Sequence, residues 1–154
     1  MEVYRIAKSR CPIAVTLRGG ERIEGDMFVQ GRALTHLGPE WPLDVLNHSD
    51  AFLPLALPSG ETLLLAKDAI IEVETTAEIE DDPYRTAGAR AESVEVRLSG
   101  GVVRSGTVHM EVPSDHSRVL DFLNRQDGRF LTLFTAGGLR LVNRRLIESV
   151  RHLS

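Results

Sequence analysis

Leu43-Asp44-Val45-Leu46-Asn47 returns later in the chain as Leu120-Asp121-Phe122-Leu123-Asn124. The match spreads outward from this pair. Downstream, Phe52-Leu53-Pro54-Leu55 faces Phe130-Leu131-Thr132-Leu133 after one extra residue, and Ala66-Lys67-Asp68-Ala69-Ile70 faces Asn143-Arg144-Arg145-Leu146-Ile147. Upstream, Val15-Thr16-Leu17-Arg18-Gly19-Gly20 faces Val96-Arg97-Leu98-Ser99-Gly100-Gly101, and Gly25 faces Gly106. Four blocks in one order with small offsets mark an internal duplication. The 154 residues therefore divide into a first unit at 1–74, a linker at 75–91 and a second unit at 92–154. The linker carries Glu78, Glu80, Asp81, Asp82, Pro83 and Gly88 and follows neither hydrophobic period, as solvated connecting chain does.

Each copy reads mainly as strands. Ile13, Val15 and Leu17 alternate with small or polar neighbours, the period of a half-buried strand. Gly19-Gly20 supplies a hairpin turn, and Arg22 to Val29 returns as a second strand with a bend or bulge expected at Gly25. The repeated Leu-Asp-x-Leu-Asn stretch has helical spacing but only two turns, so it needs a sheet to dock on. Asp44 and Asp121 then complement the helix dipole, and Asn47 and Asn124 stop the helix; the functional alternative is a polar recognition site present twice. Strands at Phe52–Leu57, Thr62–Ala66 and Ala69–Glu74 follow, with counterparts at Phe130–Thr135, Leu139–Asn143 and Leu146–Arg151. Glu72 and Glu74 fall on the solvent side of their strand. The expected fold is mainly β: two tandem five-stranded small barrels, each with a short helix inserted between strands 2 and 3.

Composition narrows the function classes. Apolar residues make up 42% of the chain and charged residues 26%, as in globular proteins. Cys11 is the single cysteine, which excludes an intrachain disulfide, a CxxC pair and a cysteine zinc cluster. The opening Met1-Glu2-Val3-Tyr4-Arg5-Ile6 lacks the apolar core of a signal peptide, and no apolar run has membrane-span length. A reducing, cytoplasmic setting is expected, with no membrane partner. The net charge of −4 is uneven: residues 1–91 hold 9 bases against 15 acids, and residues 92–154 hold 9 arginines against 7 acids. Nucleic-acid binders carry denser basic patches, because their affinity comes from neutralising phosphates.

The hairpins Leu17-Arg18-Gly19-Gly20-Glu21-Arg22-Ile23-Glu24-Gly25 and Leu98-Ser99-Gly100-Gly101-Val102-Val103-Arg104-Ser105-Gly106 resemble the first hairpin of Sm-like and SH3-like small barrels. Leu141 to Val150 resembles their closing strands. The resemblance covers most of both copies and implies sheets that continue between subunits, with Ile70–Thr75 as an exposed last strand. It also implies RNA binding in rings, but RNA-binding Sm proteins carry an Arg-Gly step near the last turn. Here that position reads Lys67-Asp68 in one copy and Arg144-Arg145 in the other.

No catalytic constellation is visible. His36, His48, His109, His116 and His152 form no HxH or HExxH spacing. There is no GxxxxGK[ST], GxGxxG or GxSxG, and no joint set of acid, base and oxyanion donors. The chain reads as a non-enzyme with no cofactor and no metal. The candidate ligand or partner surface is the arginine set of the second copy: Arg140, Arg144 and Arg145 at one end, and Arg118, Arg125 and Arg129 around the helix. Arg140 and Arg144 spell RxxxR, similar to the cyclic-dinucleotide motif of PilZ barrels, although that motif precedes its barrel. Arg104 is a misfit, because it occupies the place of inward Ile23. A buried unpaired arginine is costly, so a bulge that puts Val102 or Val103 inward is expected. The leading functional expectation is a protein-interaction or scaffolding module that binds a protein or itself. An RNA-binding Sm-like ring and an anionic-nucleotide-sensing barrel are the alternatives.

Overall fold

The computed structural model describes residues 8–31, 33, 40–75, 90–110, 119–125 and 128–153. Residues 76–89, most of the expected linker, lie outside them. The first copy forms β1 (Lys8–Leu17), β2 (Arg22–Gln30), α1 (Pro42–Asn47), β3 (Phe52–Ala56), β4 (Thr62–Ala66) and β5 (Ile70–Thr75). The second forms β6 (Arg90–Leu98), β7 (Val102–Met110), α2 (Val119–Arg125), β8 (Phe130–Thr135), β9 (Gly138–Asn143) and β10 (Ile147–His152). A single 3-10 turn leads into β5 and another into β10. Among the described residues no helix is long and apolar enough to cross a membrane.

The fold is mainly β, but the ten antiparallel strands build one unclosed sheet rather than two closed barrels. Their order is β10-β6-β7-β8-β9-β5-β1-β2-β3-β4. Each copy contributes five neighbouring strands, and β5 joins β9 to link the halves. Within each copy the sheet narrows at one place. Only Asp26↔Ala56 and Met27↔Leu55 pair between β2 and β3, and only Thr107↔Phe134 between β7 and β8.

The repeated glycines explain these narrow places. A Cβ on Gly25 would stand 2.7 Å from the Ala56 carbonyl oxygen, and one on Gly106 would stand 2.5 Å from that of Phe134. Gly25 is thus where another strand's backbone comes close, not the bulge expected within the hairpin, and β1 pairs with β2 without a register shift. Of the first hairpin's two glycines, Gly20 takes the left-handed φ of 89° and Gly19 does not, and only that conformation favours glycine.

The bulge lies instead in β5. Leu17 pairs with Ile70 and Thr16 with Glu72, so Ile71 is the extra residue. Val73 then faces the first core beside Val15, while Ile71 faces the second core with Val94, Val96 and Val142. β9 divides the same way: Leu141 packs into the first core and Val142 into the second. At this seam the sheet is covered on both faces, so β5 is buried over almost its whole length. The expected exposed last strand at Ile70–Thr75 is therefore occupied, because β9 lies along its edge.

Candidate functional site

A polar network lies at the seam between the copies. Its centre is Glu72, which is fully buried, contrary to the solvent position read from its alternation. The bulge places it on the face that the second copy covers. Arg104 from β7 donates through Nε at 3.0 Å and through Nη2 at 2.7 Å to Glu72 Oε1. Arg140 from β9 donates through Nη1 to the same oxygen at 2.8 Å. One carboxylate thus holds two guanidiniums from two different strands, the charge-assisted arrangement that arginine favours.

This also resolves the misfit at Arg104. No bulge shifts β7: Val96 pairs with Arg104 just as Val15 pairs with Ile23. Val103 stays exposed, and Val102 is only partly buried against the second core. Arg104 keeps the inward register and is satisfied by Glu72, whose hydrogen bonds raise its pKa above the ordinary guanidinium value.

Glu74 extends the network outward. It pairs with Arg140 Nη2 at 2.7 Å and with Arg22. Partial burial works against its charge, yet the Arg22 hydrogen bond and the Arg140 charge hold its carboxyl below the usual carboxylate range. Beside it lies an open cavity of about 490 Å³ between the copies, lined in part by Arg22, Glu24, Asp26, Glu74 and Arg140. Its arginines, Arg22 and Arg140, are engaged by carboxylates.

A second device locks the seam from α1. Asn47 Oδ1 accepts from the Phe130 backbone N–H at 2.7 Å, and its Nδ2 donates to the Phe130 carbonyl at 3.2 Å. Gly128 leaves the room, since a Cβ there would stand 2.6 Å from Asn47 Nδ2. Asn47 therefore reads the backbone of the other copy, where a local helix stop was expected. Asp44 does serve its own helix, accepting from the Trp41 N–H at 2.7 Å. The other end of α1 is held by buried Lys67, whose Nζ donates to the carbonyls of Val45 and His48 at 2.8 and 3.1 Å. Burial, and then the charge of Arg129, push the Lys67 pKa down.

Of the arginine set of the second copy, one member turns into the seam and two come together at Asp68 of the first copy. Arg140 is committed to Glu72 and Glu74. Arg129 and Arg145 approach Asp68 of the first copy at 3.8 and 3.7 Å. Arg144 has a buried Nε without a hydrogen-bond partner among the described residues. Arg125 ends α2, and Arg118 lies outside the described residues. Among the histidines, His48 pairs with Glu40 and His152 with Glu92, while His109 stacks on Phe134. His36 and His116 lie outside the described residues. Among the described residues no cluster of three or more metal-ligating side chains occurs. Cys11 is half-buried, and burial pushes its thiol pKa up, away from nucleophilic reactivity.

No family model, curated protein or solved structure matches this chain.

Sequence reasoning missed the seam roles of Glu72, Arg104 and Asn47, although the last two left a trace. Arg104 stood out of pattern, and the asparagine was repeated.

Proposed function

We propose that the chain is a non-enzymatic interaction and scaffolding module built from a duplicated small β-barrel unit of the Sm/SH3-like kind, acting in a reducing cytoplasm. The barrel kinship is supported by the strand order within each copy. Both run last-first-second-third-fourth, with a helix before the third strand and a core of their own. The single cysteine supports the compartment.

The observation that carries the interaction reading is the edge-to-edge docking of the copies. β9 lies antiparallel along β5 over Glu72↔Val142 to Thr75↔Leu139, backed by the Glu72 network and by Asn47. This is strand addition, in which backbone hydrogen bonds supply affinity and alternate side chains supply selectivity. At one end of the sheet, β4 (Thr-Leu-Leu-Leu-Ala) carries none of the charges or prolines that blunt an exposed edge,. The RNA and nucleotide readings gain little support, because carboxylates already engage Arg140 and lie near Arg129 and Arg145.

The test is a photo-reactive benzoylphenylalanine placed at Leu64 on the β4 edge and, as a control, at exposed Ser59. The chain carrying it is irradiated in its own cells. A single discrete adduct from position 64, with none from position 59, supports the module. Absence of any adduct at position 64 refutes it.

A further inference from the structure

The last turns of the two copies meet across the seam. They are the 3-10 turns Lys67–Ala69 and Arg144–Leu146. Asn143 ties them together, since its Nδ2 donates to the Lys67 and Ile70 carbonyls at 3.4 and 3.0 Å. Arg129 joins the same pole from just before β8. Its carbonyl accepts from the Arg144 N–H at 2.9 Å, which sets two arginines across from each other on neighbouring strands. Like charges so placed repel. Arg129 also stands near Lys67, where its charge adds to burial in pushing the amine's pKa down. Four bases, Lys67, Arg129, Arg144 and Arg145, thus share this pole with two acids, Asp50 and Asp68. The rest of the chain is acidic enough to make the net charge −4.

Asp68 faces two of these arginines and satisfies neither. Its Oδ1 lies 3.8 Å from Arg129 Nη1 and 3.7 Å from Arg145 Nη1, ion-pair contacts beyond hydrogen-bond reach. Arg129 Nη1 and Arg144 Nε are closed off from solvent, and neither donates a hydrogen bond among the described residues. Buried polar groups are nearly always paired in native proteins, and a charged donor without an acceptor is the costliest exception. The first copy shows the contrast. There the counterpart of Arg144 is Lys67, which is occupied by the Val45 and His48 carbonyls at the end of α1. The entrance is open, because the Arg145 and Asp68 side chains are 69% and 68% exposed.

We propose that this pole takes a carboxylate from an acidic segment of a partner protein, which displaces Asp68 and accepts the hydrogen bonds that Arg129 and Arg144 leave unmade. This rests on the interaction reading and gives the partner's chemistry. Guanidinium and carboxylate match in plane and charge. The local excess of four bases over two acids suits one or two acidic side chains. It falls short of what a nucleic-acid strand needs, whose affinity is built from many phosphate contacts. Exposed Asp50 and Asp68 also repel such a strand. The site belongs to the tandem chain and to neither copy alone, since the arginines come from the second copy and the carboxylate they share from the first.

Fluorescence anisotropy of a fluorescein-labelled hexaglutamate peptide, titrated with the full chain at low salt, reads the site. Saturable binding is expected. Arg144→Gln with Arg145→Gln should raise the dissociation constant about tenfold, as the loss of a charge-assisted hydrogen bond does. Asp68→Asn removes the carboxylate already in place and should lower it. Arg97→Gln, at an exposed position on β6, controls for charge alone, and circular dichroism confirms that each variant is folded. Arg145→Gln by itself, at an exposed side chain, serves if the double variant does not fold. Absence of saturation, weaker binding by Asp68→Asn, or an equal loss in Arg97→Gln overturns the proposal. So does a uridine hexanucleotide that binds more tightly than the peptide, since the pole is then a nucleic-acid site. A failed titration beside an intact adduct at position 64 overturns the acidic partner and leaves the interaction module standing. A missing adduct overturns the module itself, while saturable peptide binding still supports the site.

Discussion

Replacing Glu72 by glutamine keeps the side chain's volume and one acceptor oxygen but removes the charge that holds Arg104 and Arg140. The Glu72 side chain is 1% exposed, whereas those of Arg104 and Arg140 retain 33% and 23% exposure. Removing one member of a fully buried ion pair costs about 3–5 kcal/mol. An exposed pair is worth about 0–1 kcal/mol. Both arginines here can turn toward water once the carboxylate is gone, so the expected cost of Glu72→Gln lies between these limits, at about 2–3 kcal/mol. Arg104→Ile, which installs the residue the first copy uses at that position, completes a double-mutant cycle. The double variant should be less destabilised than the sum of the singles by about 1–2 kcal/mol, since the new amide then no longer faces an unsatisfied guanidinium from β7. Urea unfolding followed by circular dichroism measures this. A single-variant cost below about 0.5 kcal/mol, the range of inert surface changes, would refute a structural role for the network. So would strict additivity in the cycle.

Gly25→Ala should destabilise by about 1–3 kcal/mol, the usual cost of overpacking, because its Cβ would meet the Ala56 carbonyl at 2.7 Å. Gly137→Ala, with nothing within 4 Å of the added carbon, is the control, and equal effects in urea unfolding would contradict the close-approach reading. Lys67 predicts a pH dependence. Its folded pKa lies below the ordinary lysine value of about 10.4,, so between those two values the unfolded chain binds more protons and stability rises with pH. Lys67→Met should flatten that rise, and Lys8 is the only other lysine to confuse it. An unchanged slope in the variant would show that the Lys67 amine titrates as an ordinary exposed one.

Much of the local architecture is legible in the sequence. Strands fall within a residue or two of their expected limits at Phe52–Ala56, Thr62–Ala66 and Phe130–Thr135, because period-2 alternation reports directly on a one-sided sheet. The same rule fails at β5. A strand covered on both faces has no polar side, and the bulge at Ile71 breaks the count, so Glu72 reads as a surface acid. Closure into separate barrels is the natural expectation for a short curled sheet. It does not anticipate that the second copy serves as the edge cover for the first. Asn47 and Asn124 show that the repeat keeps an amide at this place. The partner of that amide, a backbone lying 83 residues away along the chain, leaves no sign in the residues around it.

The shared cores also set an order of events at the ribosome. Phe130 and Leu141 complete the first core, yet they are synthesised after every other residue packed into it. A nascent chain that has emerged only through Thr75 displays Ile71 and Glu72 uncovered, with the edge that β9 will later fill standing open. At that moment the β9 of another chain fits the open edge as well as the chain's own,. Slow translation through residues 90–143, or crowding of chains on one message, therefore favours exchanged assemblies over the self-closed seam.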